Sequence, residues 1–242
     1  MKSPGIPDKA PIIKKIIEKN ISIVSEIEIA SAHSKAKVVG ITGSNGKTTT
    51  TLLTHYIVEQ AGLDAGLAGN IGMSYAQQVA DTNRENYILE LSSFQLDGIV
   101  DFAPNIAVLT NLSPDHLDRY HYNYDEYIAA KFRITMNQTK NDYFIYDADD
   151  IEIQKWLSTH QIKSIGLPFS ITKKLDQGAF IENNQMVIQF NQIRFTMSID
   201  DLALKGKHNL KNAMAASMVA KLLNIQDESL RSSLTNFKGV EH

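Results

Sequence analysis

Residues 37–51, KVVGITGSNGKTTTT, place a β-branched apolar run directly before a glycine-containing turn and a helical segment. A turn of this kind can point backbone N–H groups at an anion only if its residues are small, as Gly43, Ser44 and Gly46 are. Lys47 then supplies a cation for β- and γ-phosphates, and Thr48 supplies a hydroxyl for Mg²⁺. The segment therefore predicts a strand, a phosphate-binding loop and a helix that begins at the bound phosphates.

The loop departs from the strict pattern G-x-x-x-x-G-K-[ST], which needs a glycine at position 41. Ile41 stands there, and the first glycine is displaced to Gly40. The alternative interpretation is a tight strand-to-helix turn with an incidental lysine. The order of strand, glycines, Lys-Thr and helix favours the phosphate loop.

Apolar, strand-like runs alternate with helical segments along most of the chain, which predicts an α/β fold with a doubly wound, mostly parallel sheet. The predicted strands are residues 37–41, 87–93, 105–111 and 143–148. The predicted helices are residues 48–61, a helix that begins at Asn123 with a capping box variant at Glu126, and residues 208–223 and 227–236. Residues 178–199 break the rhythm, because adjacent apolar runs around an Asn-Asn turn predict antiparallel strands, in a small sheet packed on the main one.

The first 34 residues follow a different pattern. They predict a proline- and glycine-containing loop at 4–7, a helix that stops at Asn20, a short strand at 21–24 and a second helix. One helix and one strand cannot bury their own apolar faces. We therefore expect residues 1–34 to be the remainder of an N-terminal domain and its linker, with residues 35–242 as a central domain.

Composition narrows the class of protein. An apolar fraction of 43% is enough for a sizeable core, and a net charge of −3 gives no sign of a nucleic-acid or anionic-membrane partner. The absence of cysteine excludes disulfides, thiolate metal sites and a cysteine nucleophile. The sequence has no apolar run long enough for a membrane helix and no signal peptide pattern. We expect a soluble, cytoplasmic monomer.

Candidate metal ligands follow the predicted strands, where ligands of parallel sheets bind. Glu90, near the end of its strand, is placed to hold Mg²⁺. His116, in SPDHLDRYH, lies past the next strand on the same side. Three neighbours compete with His116 for a metal role: Asp115, Asp118 and His121. Lys131 lies on a predicted helix, and the residue pattern alone favours a solvated lysine.

Six segments, in this order, resemble the Mur ligase family: TGSNGKTTT at 42–50, AGNIG at 68–72, LELSSFQL at 89–96, LSPDHLDRY at 112–120, YIAAKFRI at 127–134 and GKHNLKNAMAA at 206–216. ELSSFQL is the most diagnostic and resembles the branch of the family that adds D-glutamate to UDP-N-acetylmuramoyl-L-alanine. The opening KSPGIP and the closing FKGVEH are similar to that branch as well. The resemblance thus covers nearly the whole chain.

The resemblance implies a three-layer central domain that binds ATP and two Mg²⁺ ions. The implied ATP-binding residues are Gly43, Ser44, Asn45, Gly46, Lys47, Thr48 and Thr49 at the phosphates, and Asn209 and Asn212 at the adenine, with His208 beside them. The implied metal ligands are Thr48, Glu90, His116 and Lys131, the last in its N-carboxylated form. The implied substrate contacts are Asn70, Ser92 and Tyr127. The catalytic residues of this set are Lys47, Glu90, His116 and Lys131.

The implied reaction is phosphorylation of the substrate's terminal L-alanine carboxylate by ATP, followed by attack of the D-glutamate amine on the acyl phosphate. Family members also have an N-terminal uridine-nucleotide domain and a C-terminal D-glutamate domain, so we expect the 242-residue chain to be incompetent for ligation by itself. Two alternatives stay open. One is another Mur or folylpolyglutamate-type amide ligase, against which ELSSFQL argues. The other is a nucleotide-binding module without catalysis, against which the carboxylate, histidine and lysine set argues.

Overall fold

The fold is built on one mixed sheet, seen in a computed structural model that describes residues 6, 10–82 and 84–239. Its strands are β1 Lys37–Thr42, β2 Ala65–Gly69, β3 Asn86–Glu90, β4 Ile106–Leu109, β5 Tyr143–Asp147, β6 Ile165–Phe169, β7 Gly178–Glu182, β8 Gln185–Phe190 and β9 Ile193–Ser198. Their spatial order is β2-β3-β1-β4-β5-β6-β7-β8-β9. The strands from β2 to β7 run parallel, which confirms the predicted doubly wound arrangement.

Helices cover both faces of this sheet. They are α1 Pro11–Glu18, α2 Glu26–Ala32, α3 Lys47–Gln60, α4 Tyr75–Asp81, α5 Ser93–Asp97, α6 Tyr124–Phe132, α7 Ile151–Thr159, α8 Lys207–Leu222 and α9 Asp227–Asn236. Short 3₁₀ turns occupy Leu117–Tyr120, Arg133–Thr135 and Ile199–Asp201. No helix in the described ranges is long and apolar enough to cross a membrane.

The alternation of side chains along the central strands creates two separate hydrophobic cores. Val39 and Ile41 of β1 pack with α3, α8 and α9, whereas Val38 packs with α2, α4, α5, α6 and α7. Successive residues of a strand point to opposite faces, so the two cores lie on opposite sides of the sheet. The result is a three-layer α/β architecture, as the resemblance implied.

The antiparallel strands lie where the sequence predicted them. Asn183 and Asn184 join β7 to β8 with φ angles of 49° and 60°, the left-handed pair that a tight hairpin turn requires. The prediction that these strands form a small separate sheet is wrong, because Phe169 of β6 pairs with Ala179 of β7. The hairpin strands therefore extend the main sheet at its edge and do not form a separate sheet packed on it.

Several local predictions need correction. Residues 21–25 form a loop and not a strand, since within the described chain they find no neighbouring strand to pair with. The strand predicted at 87–93 ends at Glu90, because Ser92 caps α5 instead. Asn123 does cap α6, but its Oδ1 accepts from the Asp125 N–H at 3.0 Å. Glu126 accepts from the Asn123 side chain and not from its backbone, so the capping box is incomplete.

Helix α2 is packed into the same core as the sheet. Ile27 is fully buried there, and two acidic side chains tie the helix to its neighbours. Glu26 accepts hydrogen bonds from the Ser74 hydroxyl at 2.6 Å and the Ala76 N–H at 3.1 Å, at the start of α4. The division at residue 34 stays a prediction. The loop predicted at 4–7 lies, apart from Ile6, outside the described residues, as does the end of FKGVEH.

The carboxylate of Glu28 should contribute measurably to stability. It accepts the backbone N–H groups of three consecutive residues, 100–102, at 2.8, 2.9 and 3.0 Å. We expect Glu28→Ala to lower the free energy of unfolding by about 1.5–3 kcal/mol, the range for hydrogen bonds to a charged group. Urea unfolding measures this, with Glu18→Ala on the exposed side of α1 as the control. Equal midpoints for the two variants would contradict the assignment.

Candidate nucleotide and metal site

The phosphate loop between β1 and α3 requires glycine at two positions. Gly43 and Gly46 have φ angles of 147° and 79°, in the region that favours glycine. A Cβ at Gly43 would overlap the Thr110 hydroxyl, and one at Gly46 would lie 2.6 Å from Asn212 Oδ1. Gly40 is not part of the loop. It lies within β1, where its missing side chain admits Leu91, so it does not replace the glycine absent at position 41.

The backbone N–H groups of the loop fall into two sets. Ser44 donates to the Asn111 carbonyl at 3.0 Å, and the Asn45 N–H donates to Asn111 Oδ1 at 2.9 Å. Helix α3 then begins behind Gly46, and no side chain in the described structure caps it. The N–H groups of a helix's first turn have no partner within the helix. The donors best placed for a phosphate are therefore those of residues 46–49.

Lys47 is folded back over the loop. Its Nζ donates to the Ser44 carbonyl at 2.9 Å. Burial lowers the pKa of Lys47, an effect opposed by the charges of Glu90 and Asp115. The loop thus carries a partly desolvated cation, which is the chemistry that a phosphate group needs.

Glu90 is a buried carboxylate with two donors. At 1% exposure it accepts from the Thr48 hydroxyl at 2.8 Å and from Asn70 Nδ2 at 2.7 Å. The three residues come from the end of β3, the start of α3 and the loop after β2. Hydroxyl, amide and carboxylate oxygens of this kind suit a hard cation such as Mg²⁺. The structure therefore brings Thr48 and Glu90, both expected to bind metal, together with Asn70, which was expected to contact the substrate.

Lys131 is buried beneath the phosphate loop. It is 2% exposed, and its Nζ donates to the Gly43 carbonyl at 2.9 Å and lies 3.4 Å from Thr42 Oγ1. Burial, followed by the nearby charge of Lys47, lowers the pKa of Lys131 to about 7. The interpretation of Lys131 as a solvated lysine is therefore wrong, because α6 turns this side chain towards the sheet and not towards water.

Tyr127 lies one turn before Lys131 and reaches the same loop. Its ring is 1% exposed, and its hydroxyl lies 2.9 Å from Ser44 Oγ. Burial raises the pKa of Tyr127, so the hydroxyl stays protonated. Ser92 is engaged differently, since its hydroxyl and the Gln95 side chain form the capping box of α5.

His116 is exposed on the segment that follows β4. Its side chain is 58% exposed, its Nε2 lies 3.5 Å from Asp115 Oδ2, and its ring is 5.4 Å from that of Phe94. His121 instead contacts Glu126 at 3.0 Å. Among the described residues, no three His, Asp or Glu side chains are grouped closely enough to hold a metal. The metal role of His116 stays a prediction.

The two asparagines expected at the adenine lie at the start of α8. Asn212 is buried, accepts from the Thr50 hydroxyl at 3.2 Å and donates to Asn209 Oδ1 at 3.4 Å. Asn209 is partly buried and donates to the Lys205 carbonyl at 3.0 Å. Asn212 thus lies directly behind the phosphate loop, with Asn209 at its outer side.

A cavity of about 570 Å³ beside the loop contains residues that the sequence analysis missed. Its lining includes Asn45 and His208, which the sequence analysis named, and four residues that it did not: Asn111, Asp147, Asp149 and Lys211. Lys211 Nζ lies 2.7 Å from Asp147 and 3.4 Å from Asp149. Asp147 ends β5, so the rule that selected Glu90, an acid at the carboxyl end of a strand, could have selected it too.

The depressed pKa of Lys131 predicts a specific pH dependence. The unfolded chain holds this proton up to the ordinary pKa of 10.5, while the folded chain releases it near pH 7. Stability should therefore rise with pH across that window, by at most about 1.4 kcal/mol per pH unit. Below the folded pKa, lysine is protonated in both states and this contribution is flat.

Lys131→Met should remove that rise. Urea unfolding of both chains in bicarbonate-free buffer, between about pH 6 and pH 9, measures the difference in slope. Lys140→Met, at an exposed site, is the matched control. Identical slopes for the original chain and Lys131→Met would show that the buried amine does not titrate in this way.

Comparison with known proteins assigns the chain to a family. Residues 41–220 match the family described as the Mur ligase middle domain. UDP-N-acetylmuramoylalanine–D-glutamate ligases are 58% identical in Christiangramia forsetii and 50% identical in Bacteroides fragilis, each over 100% of this chain and 54% of the relative. The ligase of that name from Streptococcus agalactiae is 41% identical over 100% of this chain and 52% of the relative. The chain thus spans about half the length of the curated relatives it matches.

Solved structures show the same fold at low sequence identity. The UDP-N-acetylmuramate:L-alanyl-gamma-D-glutamyl-meso-diaminopimelate ligase from Neisseria meningitides gives a TM-score of 0.71 at 18% identity, over 98% of this chain and 78% of that one. The UDP-N-acetylmuramate-alanine ligase from Thermotoga maritima gives 0.62 at 20% identity, over 98% and 54%. With the family match over most of the sequence, these likenesses lead to one conclusion: the chain belongs to the Mur ligase family.

Proposed function

We propose that this chain is the ATP-binding part of a ligase that joins D-glutamate to UDP-N-acetylmuramoyl-L-alanine in peptidoglycan synthesis. The observation that carries the proposal is the convergence of Lys47, Thr48, Glu90 and Lys131 on one phosphate loop. The names of the most similar relatives support the choice of substrates. Residues 35–242 would form the central domain, and ligation would belong to the whole protein and not to these 242 residues alone.

The loop would hold ATP through three kinds of group. The N–H groups of residues 46–49 would donate to phosphate oxygens, as helix N-termini do. Lys47 would exchange the Ser44 carbonyl, 2.9 Å away, for a phosphate oxygen, which is a stronger partner because it is charged. The adenine would lie towards Asn209 and Asn212 at the start of α8.

Glu90 and Thr48 fit a Mg²⁺ ion. Glu90 offers two carboxylate oxygens at a buried position, and each of them accepts a hydrogen bond from a neutral donor. His116 and Lys131 are the proposed ligands of a second ion. Bound Mg²⁺ would neutralise charge on the phosphoryl group that is transferred. Asn70 would keep the Glu90 carboxylate oriented from the side opposite Thr48.

The proposed reaction has two steps. The terminal L-alanine carboxylate of the substrate attacks the γ-phosphorus of ATP, which forms an acyl phosphate and releases ADP. The D-glutamate amine then attacks the acyl carbon, and phosphate leaves as the amide bond forms. Lys47 would stabilise the developing charge of the transferred group. Asn70, Ser92 and Tyr127 would lie at the reacting end of the UDP-linked substrate.

Lys131 is proposed to act as a carbamate. A neutral amine is needed for the reaction with CO₂, and a pKa of about 7 makes the neutral form abundant. The ammonium group would first lose one proton, and the neutral amine would lose a second as its nitrogen bonds to the carbon of CO₂. The product is an anion with two oxygen ligands in place of a cation. The buried position beside Gly43 makes an anion with a metal partner more suitable than an ammonium group beside Lys47.

Nucleotide binding tests the loop assignment directly. We expect the chain to bind Mg·ADP, and Lys47→Ala to weaken binding by about 10- to 100-fold, the range for loss of one charge-assisted hydrogen bond. Titration calorimetry measures both affinities. Lys163→Ala, at an exposed lysine before the amino end of β6, is the control. If Lys47→Ala binds as tightly as the control, the loop does not hold the phosphates.

The carbamate has its own test. The complete protein, with ¹³C-bicarbonate, Mg²⁺ and nucleotide at mildly alkaline pH, should show a carbamate carbon resonance that disappears on acidification. Lys131→Arg keeps a cation but cannot form the carbamate, so it should lack the resonance. Identical spectra for the two proteins would return Lys131 to the role of an unmodified buried amine.

A further inference from the structure

The side chain of Asn111 binds the phosphate loop through both halves of its amide. Its Oδ1 accepts the Asn45 N–H at 2.9 Å, and its Nδ2 donates to the Asn45 carbonyl at 2.8 Å. The Asn111 carbonyl also accepts the N–H of Ser44 at 3.0 Å. One residue at the end of β4 therefore satisfies three backbone groups of the loop.

The neighbours of Asn111 complete this attachment. The Thr110 hydroxyl donates to the Asn45 carbonyl at 2.7 Å, and the Ser113 N–H donates to Ser44 Oγ at 2.9 Å. Ser44 Oγ in turn donates to the Ser113 carbonyl at 2.9 Å. The loop is thus fixed to residues 110–113 along its length and does not rest on its own turn geometry alone.

This attachment decides which N–H groups a phosphate meets. The donors of Ser44 and Asn45 point at Asn111, so those of residues 46–49 are left to face the ligand. A loop free to turn Ser44 and Asn45 inward would present a different set of donors in a different place. The same segment continues to Asp115 and His116, so the loop and the proposed ligand of the second metal ion are connected through five residues.

We infer that Asn111 is a positioning residue of the ligase reaction. It holds the phosphate loop in the conformation that binds the phosphates of the nucleotide, and it connects the loop to the segment that carries His116. The inference rests on the proposed nucleotide-binding function. It depends on a neutral amide, since donor and acceptor must both be present on one short side chain. An aspartate would keep the acceptor, lose the donor, and set a carboxylate against the Asn45 carbonyl.

The matched control is Asn137. Its Nδ2 also donates to two backbone carbonyls, of Val100 at 2.7 Å and Phe102 at 3.1 Å, but on a different part of the protein. Asn111→Asp and Asn137→Asp therefore make the same chemical change and remove the same kind of bond. Asn111→Ser removes the amide without adding charge, which separates loss of positioning from electrostatic repulsion of the phosphates.

The test measures displacement of a fluorescent ADP analogue from the 242-residue chain by Mg·ADP and by AMP. We expect both Asn111 variants to weaken Mg·ADP by about tenfold or more, the effect of losing one or two net hydrogen bonds at the loop. The affinity for AMP, which lacks the β-phosphate, should fall less than threefold in these variants, a change of under about 0.7 kcal/mol. Asn137→Asp should leave both affinities within about twofold.

The outcomes separate the possible explanations. Equal losses for ADP and AMP would indicate general destabilisation and overturn the inference, as would unchanged ADP affinity in Asn111→Ser or an effect equal to that of Asn137→Asp. A failure of the proposed function would give a different result. In that case the original chain would not bind Mg·ADP, or Lys47→Ala would bind it as tightly as the original chain does.

Discussion

Strand β1 pairs in parallel with β3 on one side and with β4 on the other, and the site depends on this arrangement. Ile41 lies beside Glu90, and Thr42 lies beside Leu109. Three chain segments therefore leave the sheet at one edge within a few residues of each other. The phosphate loop is the middle segment. Glu90 therefore reaches it from β3, and the polar residues Thr110 and Asn111 reach it from β4. The register of the sheet therefore determines which chain positions can contribute side chains to the site.

Two lysines lie beside this loop, and neither is in an ion pair with an acidic side chain of the described residues. Lys47 donates to the Ser44 carbonyl, and Lys131 donates to the Gly43 carbonyl. These carbonyls are partial negative charges that hold each amine on its own side of the loop. Burial favours the neutral form of both, and the lowered pKa values of both lysines follow from it. The two lysines leave an excess of positive charge at the loop, and a bound polyphosphate with its metal ions would balance it.

The sequence predicted the parts of this site that obey local or topological rules. The loop was visible from its small residues, and Glu90 was visible because the ends of parallel strands meet. Lys131 was misjudged from its pattern because its burial depends on how α6 packs against the sheet, and no short-range signal reports that. Its place became visible only through resemblance. Asn111 was missed because a polar residue after a strand is common, and its value lies in one long-range pairing.

The same distinction explains the fold. Long alternating segments were predicted correctly, and the Asn183-Asn184 turn was predicted because its backbone needs the left-handed region. The strand β2, with the sequence AGLAG, has side chains too small to produce a recognisable apolar run. The opposite error occurred at 21–24, where apolar, β-branched residues had no strand to join. Propensity describes what a segment can do, and its neighbours decide what it does.

Helix α2 is bonded to α4 and to the chain just beyond α5, the two segments that follow the proposed substrate residues. Glu26 holds the first turn of α4, which comes shortly after Asn70, and Glu28 holds the chain just beyond α5, which Ser92 caps. A short helix anchored at two points acts as a strut, since it resists both stretching and rotation between them. A displacement of the chain that precedes α2 would therefore shift the surroundings of Asn70 and those of Ser92 together, and not independently.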